Sequence, residues 1–150
     1  MKRFITFLAG LVLAANLAMA GDLINADAHS KIALQGYDPV AFHTIGKATK
    51  GNPAIAAEYH GYKYLFASAE NKTTFEKQPE KYIPAYGGYC AYGVSIGQFF
   101  PVEIDTWEIV NGRLVLQYNQ DIKREFAKDK EANLRKAETN WPKLVKSNSK

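Results

Sequence analysis

The chain has 150 residues, 47% of them hydrophobic, with a single cysteine and a formal charge of +4. That length buries one real core without a disulfide scaffold, and one cysteine excludes an intramolecular disulfide. The mild positive charge forms no dense basic stripe that could neutralise phosphates, so nucleic acid is excluded as a partner.

The amino end carries Lys2 and Arg3, then an uncharged and mainly apolar run from Phe4 to Ala15, then Ala18-Met19-Ala20 with small residues flanking a cleavage point. This pattern predicts a signal peptide over residues 1–20, removed near Ala20, and hence a periplasmic or secreted protein. The apolar run is shorter than the roughly 20 residues that span a bilayer, so no stable membrane insertion is expected after cleavage. Loss of Lys2 and Arg3 lowers the formal charge to +2, and loss of Met1 and Met19 leaves no thioether for a soft metal. Cys90 then faces an oxidising compartment, where a lone thiol is buried, bound, or paired between chains.

Residues 21–31 read as a flexible leader, 32–145 as the domain and 146–150 as a tail. Ile32 to Leu34 suits a short strand, and Gly36-Tyr37-Asp38-Pro39 reads as a turn because proline fixes its own φ and extends the residue before it. Residues 46–53 form a second loop. Ala57 to Ala67 is rich in tyrosine and phenylalanine and reverses at Gly61, a hairpin pattern. Ser68 caps a helix over Ala69 to Lys77 that places Phe75 inward and stops at Pro79. Glu80-Lys81-Tyr82 begins a short turn closed by Pro84. Residues 86–95 interleave tyrosine with glycine, so that backbone and rings can approach closely. Trp107–Val110 and Arg113–Tyr118 flank Asn111-Gly112, a strong hairpin signal. Asp121 to Asn140 reads as a helix whose apolar stripe includes Ile122, Phe126, Leu134, Ala137 and Trp141, with Pro142 ending or kinking it. No regular βαβ rhythm appears. The expected class is α+β, with a small antiparallel sheet built from two hairpins, packed with short helices and a longer C-terminal helix.

The order Asp38-Pro39-Val40, then Tyr59-His60-Gly61-Tyr62-Lys63-Tyr64-Leu65-Phe66, then Phe75-Glu76-Lys77-Gln78-Pro79-Glu80-Lys81-Tyr82 resembles the YHS domain, a small metal-associated module related to the TRASH domain. The wider pattern, with Gly36 to Phe42, Tyr86-Gly87-Gly88-Tyr89-Cys90-Ala91 and Asn140-Trp141-Pro142, looks like exported single-domain members. The metal-binding version of the family carries cysteine after Asp-Pro-Val and on either side of the hairpin-to-helix junction. This chain has Ala41, Ala67 and Asn71 there. Alanine ligates nothing, and an amide carbonyl suits hard cations rather than copper or zinc.

The remaining metal candidates are Cys90, His43 and His60, a thiolate and two imidazoles that could hold copper or zinc. They lie in three separate segments, and no histidine or methionine follows Cys90. His60 sits at a hairpin reversal, where solvent exposure alone explains it, and His29 lies in the leader. A Cys90–His43 nucleophilic pair would need a third group to orient the imidazole. No redox, haem or phosphate-loop motif accompanies it. Tyr37, Asp38, Tyr86, Tyr89 and Tyr92 could instead line a small-molecule site, or simply pack the core and its rim. The expected function is an exported, non-enzymatic binding module. Its cargo would be a transition metal such as copper, with Cys90 as anchoring thiolate and His43 as nitrogen donor. The alternatives are a structural or partner-binding periplasmic domain without metal, and a small-molecule-binding domain that uses the tyrosine-rich segment.

Overall fold

The computed structural model describes residues 23–148, so the predicted signal peptide lies outside the described residues. Ile32 and Ala33 make only isolated bridges, to Lys63 and Ala26, rather than the expected strand. The chain leaves extended geometry at once, in a 3-10 turn over Leu34–Gly36 that buries Leu34. The expected turn at residues 36–39 proves to be the start of a helix, α1 (Pro39–Thr44). Asp38 caps it by accepting from the backbone N–H groups of Val40 (2.8 Å) and Ala41 (3.3 Å), with Pro39 at the first helical position where its missing N–H costs nothing.

The first hairpin pairs β1 (Asn52–Tyr59) with β2 (Tyr62–Phe66). His60 and Gly61 both take positive φ, 51° and 81°, as the tightest hairpin turns require. The Ser68 hydroxyl accepts from the Asn71 N–H at 3.1 Å and so opens α2 (Ala69–Lys77) as predicted. The short α3 (Pro79–Tyr82) follows. A 3-10 turn at Ala85–Gly88 then leads to α4 (Ala91–Ser95). The second hairpin pairs β3 (Glu103–Val110) with β4 (Arg113–Gln117) through Asn111 and Gly112, with φ of 51° and 75°.

The C-terminal helical run is two helices, α5 (Gln120–Lys128) and α6 (Lys130–Asn148), broken at Asp129 (φ −145°, ψ 64°). Pro142 lies inside α6 without ending it. An interior proline costs about 3 kcal/mol. Here Leu134, Ala137, Trp141 and Leu144, on both sides of that residue, stay packed on one core, which holds the helix on course.

The α+β class holds, and the two hairpins remain two separate two-stranded antiparallel sheets. Three apolar clusters join them. Under the first hairpin lie Val40, Tyr64, Phe66, Phe75 and Tyr82. The second cluster gathers Leu34, Phe42, Cys90, Ile104, Leu114 and Leu116, and the third Tyr86, Val94, Val115, Phe126 and Ala137. β4 divides the last two clusters, because alternate residues of a strand face opposite sides. Likewise α1 sends Val40 into the first cluster and Phe42 into the second. Among the described residues no helix is long and apolar enough to cross a membrane.

Candidate functional site

Cys90 caps the N-terminus of α4. Its sulfur accepts from the Gly93 N–H (3.4 Å) and donates to Gln117 Oε1 (3.3 Å), which also accepts from the Tyr92 N–H at 3.0 Å. The residue is 1% exposed. Burial pushes its thiol pKa upward, and the backbone N–H groups of Gly93, Tyr118 and Tyr92 oppose that rise less strongly. The sulfur nevertheless lines a cavity of about 320 Å³ whose other walls are Tyr92, Gly93, Ile96, Phe100, Tyr118 and Ile122. Three of those side chains are large, apolar and open to solvent: Ile96 at 53%, Tyr118 at 45% and Phe100 at 37%. Gly93 is required for this shape. A Cβ there would lie 2.6 Å from Phe100 Cδ2, inside any normal contact, and would push the ring away.

The expected metal set does not assemble. Among the described residues no three His, Cys, Asp or Glu side chains come together as a group able to hold a metal ion. Cys90 faces the second hairpin through Gln117, whereas His43, in the last turn of α1, packs edge-on to Tyr82 at 5.3 Å. The half-buried His43 has an Nε2 without a hydrogen-bond partner, and burial, followed by the charge of Lys81, holds its pKa below the usual imidazole value. His60 is exposed at the tip of the first hairpin, stacked on Tyr59 at 3.9 Å. Cys90 lies in the second core cluster, whereas His43 and His60 both border α3, His43 against Tyr82 and His60 stacked on Tyr59, whose hydroxyl donates to Glu80.

The three positions where the metal-binding family pattern has cysteine do converge, but on a carboxylate. Asp38, 0% exposed, accepts from the Ala41 N–H, from the Ala67 N–H at 2.8 Å and from Asn71 Nδ2 at 2.7 Å. Two alanines and an amide that donates its hydrogens inward do not fit a soft metal. Asp38, expected to touch a ligand, is therefore a structural centre.

The tyrosines are dispersed. Tyr92 lines the Cys90 cavity. Tyr86 is buried with positive φ (53°), and its hydroxyl donates to Glu138 Oε1 at 2.8 Å. Arg113 pairs with the same carboxylate and lies over the Tyr86 ring. Burial and the Glu138 charge raise the Tyr86 phenol pKa well above its ordinary value. Tyr86 borders two other cavities, of about 400 and 180 Å³, beside α6 and beside Leu23 and Ile24. Tyr89 packs on Phe99 at 4.7 Å, and Tyr37 lies under the Lys50 ammonium at 4.2 Å.

Sequence reasoning missed Gln117, Ile96, Phe100 and Tyr118. Gln117 had a signal, a lone amide closing the apolar run Leu114-Val115-Leu116 and 2% exposed in the fold. Its backbone N–H and carbonyl both meet the buried Thr106 hydroxyl at 2.9 Å, which fills the irregularity in the β3–β4 register. The Asn140-Trp141-Pro142 pattern also gains a role: Asn140 Nδ2 donates to the carbonyls of Val94 and Ser95 at 3.1 and 2.9 Å, fastening α6 to the end of α4.

This arrangement is a small α+β domain with an apolar cavity beside a buried thiol. Residues 41–86 match the YHS domain family model, so a YHS domain is present there. That match runs from within α1 into the 3-10 turn, so Asp38, Cys90, its cavity and α6 lie beyond it. No curated protein and no solved structure matches the chain.

Proposed function

We propose that this chain is an exported, non-enzymatic binding module that holds a small, mainly apolar molecule in the cavity beside Cys90. The observation that carries this reading is the cavity itself: about 320 Å³, within the size range of small-molecule sites, with three exposed apolar side chains at its rim. The polar atoms at its floor already satisfy one another, Cys90 and Tyr92 with Gln117, which favours apolar contact over polar recognition. A thiol whose pKa is raised is a poor nucleophile, and no imidazole is paired with it, so binding is favoured over catalysis. Export to the periplasm or beyond is supported by the Lys2-Arg3, Phe4–Ala15 and Ala18-Met19-Ala20 pattern.

A transition metal such as copper or zinc anchored at Cys90 is the second reading, supported by the presence of a YHS domain, a metal-associated module, and by the thiol on the cavity wall. One experiment separates the two. The chain is purified from its export compartment as wild type, Ile96→Glu and Cys90→Ser, then analysed by native mass spectrometry and elemental analysis. The expected result is one enriched organic compound, absent from Ile96→Glu and retained, without metal, by Cys90→Ser. An equivalent of metal lost in Cys90→Ser would replace the organic cargo with the ion, and a wild-type chain with neither would sink both readings.

A further inference from the structure

A carboxylate removed from water needs either a cation or a full set of hydrogen-bond donors. Asp38 has the donors. One oxygen takes the N–H groups of Val40 and Ala41, and the other takes the N–H of Ala67 and the side-chain amide of Asn71. Four donors match the roughly four lone-pair directions that an ionised carboxylate offers. They come from α1, from the end of β2 and from α2, so one side chain ties three elements at the junction where the first hairpin meets its helices. A cation on that oxygen would have to displace Ala67 or Asn71, whose two donors already take both of its lone pairs.

We infer that in this YHS domain the Asp38–Asn71 node does the structural work of a bound metal, and that the α1–β2–α2 junction is metal-independent. Asp38 and Asn71 act as a matched acceptor and donor, closed to solvent at the carboxylate. This inference is independent of what the Cys90 cavity holds.

The test uses the Cys90→Ser chain without its predicted signal, so that an ion at the cavity adds nothing, unfolded by heat with EDTA, with excess Zn²⁺ and with excess Cu⁺ under reducing conditions. The Tm of this parent chain should be the same in all three, whereas a resident metal would add stability that grows with the logarithm of its excess. Asn71→Ala should lower Tm by roughly 3–8 °C, through the unmatched Asp38 oxygen. The exchanged pair Asp38→Asn with Asn71→Asp should melt above Asp38→Asn alone, because an amide again faces a carboxylate. A Tm that falls in EDTA, or a rise with either ion that Asn71→Ala abolishes, would overturn the inference. So would strict additivity of the two exchanged substitutions. Should Asp38→Asn fail to fold, Asn71→Ala with the metal series decides it.

Discussion

Two buried polar centres organise this molecule, and they differ in what surrounds them. Asp38 sits where the first hairpin meets α1 and α2, and Gln117 sits where the second hairpin meets α4. Each lies near an irregularity in its hairpin's register, between Asn52 and Ala56 in one and between Glu103 and Glu108 in the other. Around Asp38 four N–H donors close on a carboxylate that is 0% exposed. Around Gln117 the amide oxygen is shared by a backbone N–H and a thiol, and a cavity opens beside that thiol. A saturated charged centre locks the elements it joins. A neutral centre with a soft, weak donor leaves room beside it for a guest. The YHS match begins three residues after Asp38, covers the first hairpin with α2 and α3, and stops short of the second centre.

The largest expected effect tests that contrast directly. Asp38→Ala strands four donors and should cost at least about 3 kcal/mol in urea unfolding, enough to threaten a small domain. Gln117→Ala strands the Tyr92 N–H and the Cys90 thiol and should cost about 1–3 kcal/mol by the same measurement. Equal costs would erase the distinction between the two centres.

Cys90 gives a chemical readout of the second centre. Buried, with its pKa raised, it should react with iodoacetamide at pH 8 at least about tenfold more slowly in the folded chain than in urea. Fast labelling of the native protein would mean that the cavity admits solvent down to the sulfur. His43 reports from the rim of the first region. Its folded pKa lies below the ordinary 6.5, so the unfolded chain takes up the proton first as pH falls. Its contribution to stability is therefore complete above about pH 6.5 and declines on acidification through the folded value. His43→Gln should flatten that part of the stability–pH curve measured by denaturant titration. The smallest effect is expected at the exposed rim. Ile96→Glu should change stability by no more than about 0.5 kcal/mol while abolishing uptake of an apolar dye such as Nile red.

Local chemistry was readable at several points where it concerns neighbours in the chain, though the break at Asp129 was not. Ser68 caps α2, Asn111-Gly112 turns the second hairpin and Phe75 faces inward, because capping, turn geometry and helical periodicity act within a few residues. Asp38-Pro39 held a cap-and-first-turn signal that a plain turn also explains, and only the packing of Val40 and Phe42 into two clusters makes it a helix. The candidate site was legible in part. Cys90 and Tyr92 were singled out, yet their partner Gln117 is 27 and 25 residues away and nothing local links them. Pairing Cys90 with His43 and His60 rested on residue type alone, and the fold commits each of them elsewhere.

What the amino-acid order determined by itself is the α+β class, the two hairpins and the helix capped by Ser68. What only the tertiary structure decided is that residues 41, 67 and 71 meet on the Asp38 carboxylate, and that an apolar cavity lies beside the sole cysteine. The reason is one of range. Turn, cap and alternation preferences are set over two to four residues, whereas a buried donor finds its acceptor, and a void its walls, only when segments tens of residues apart have packed.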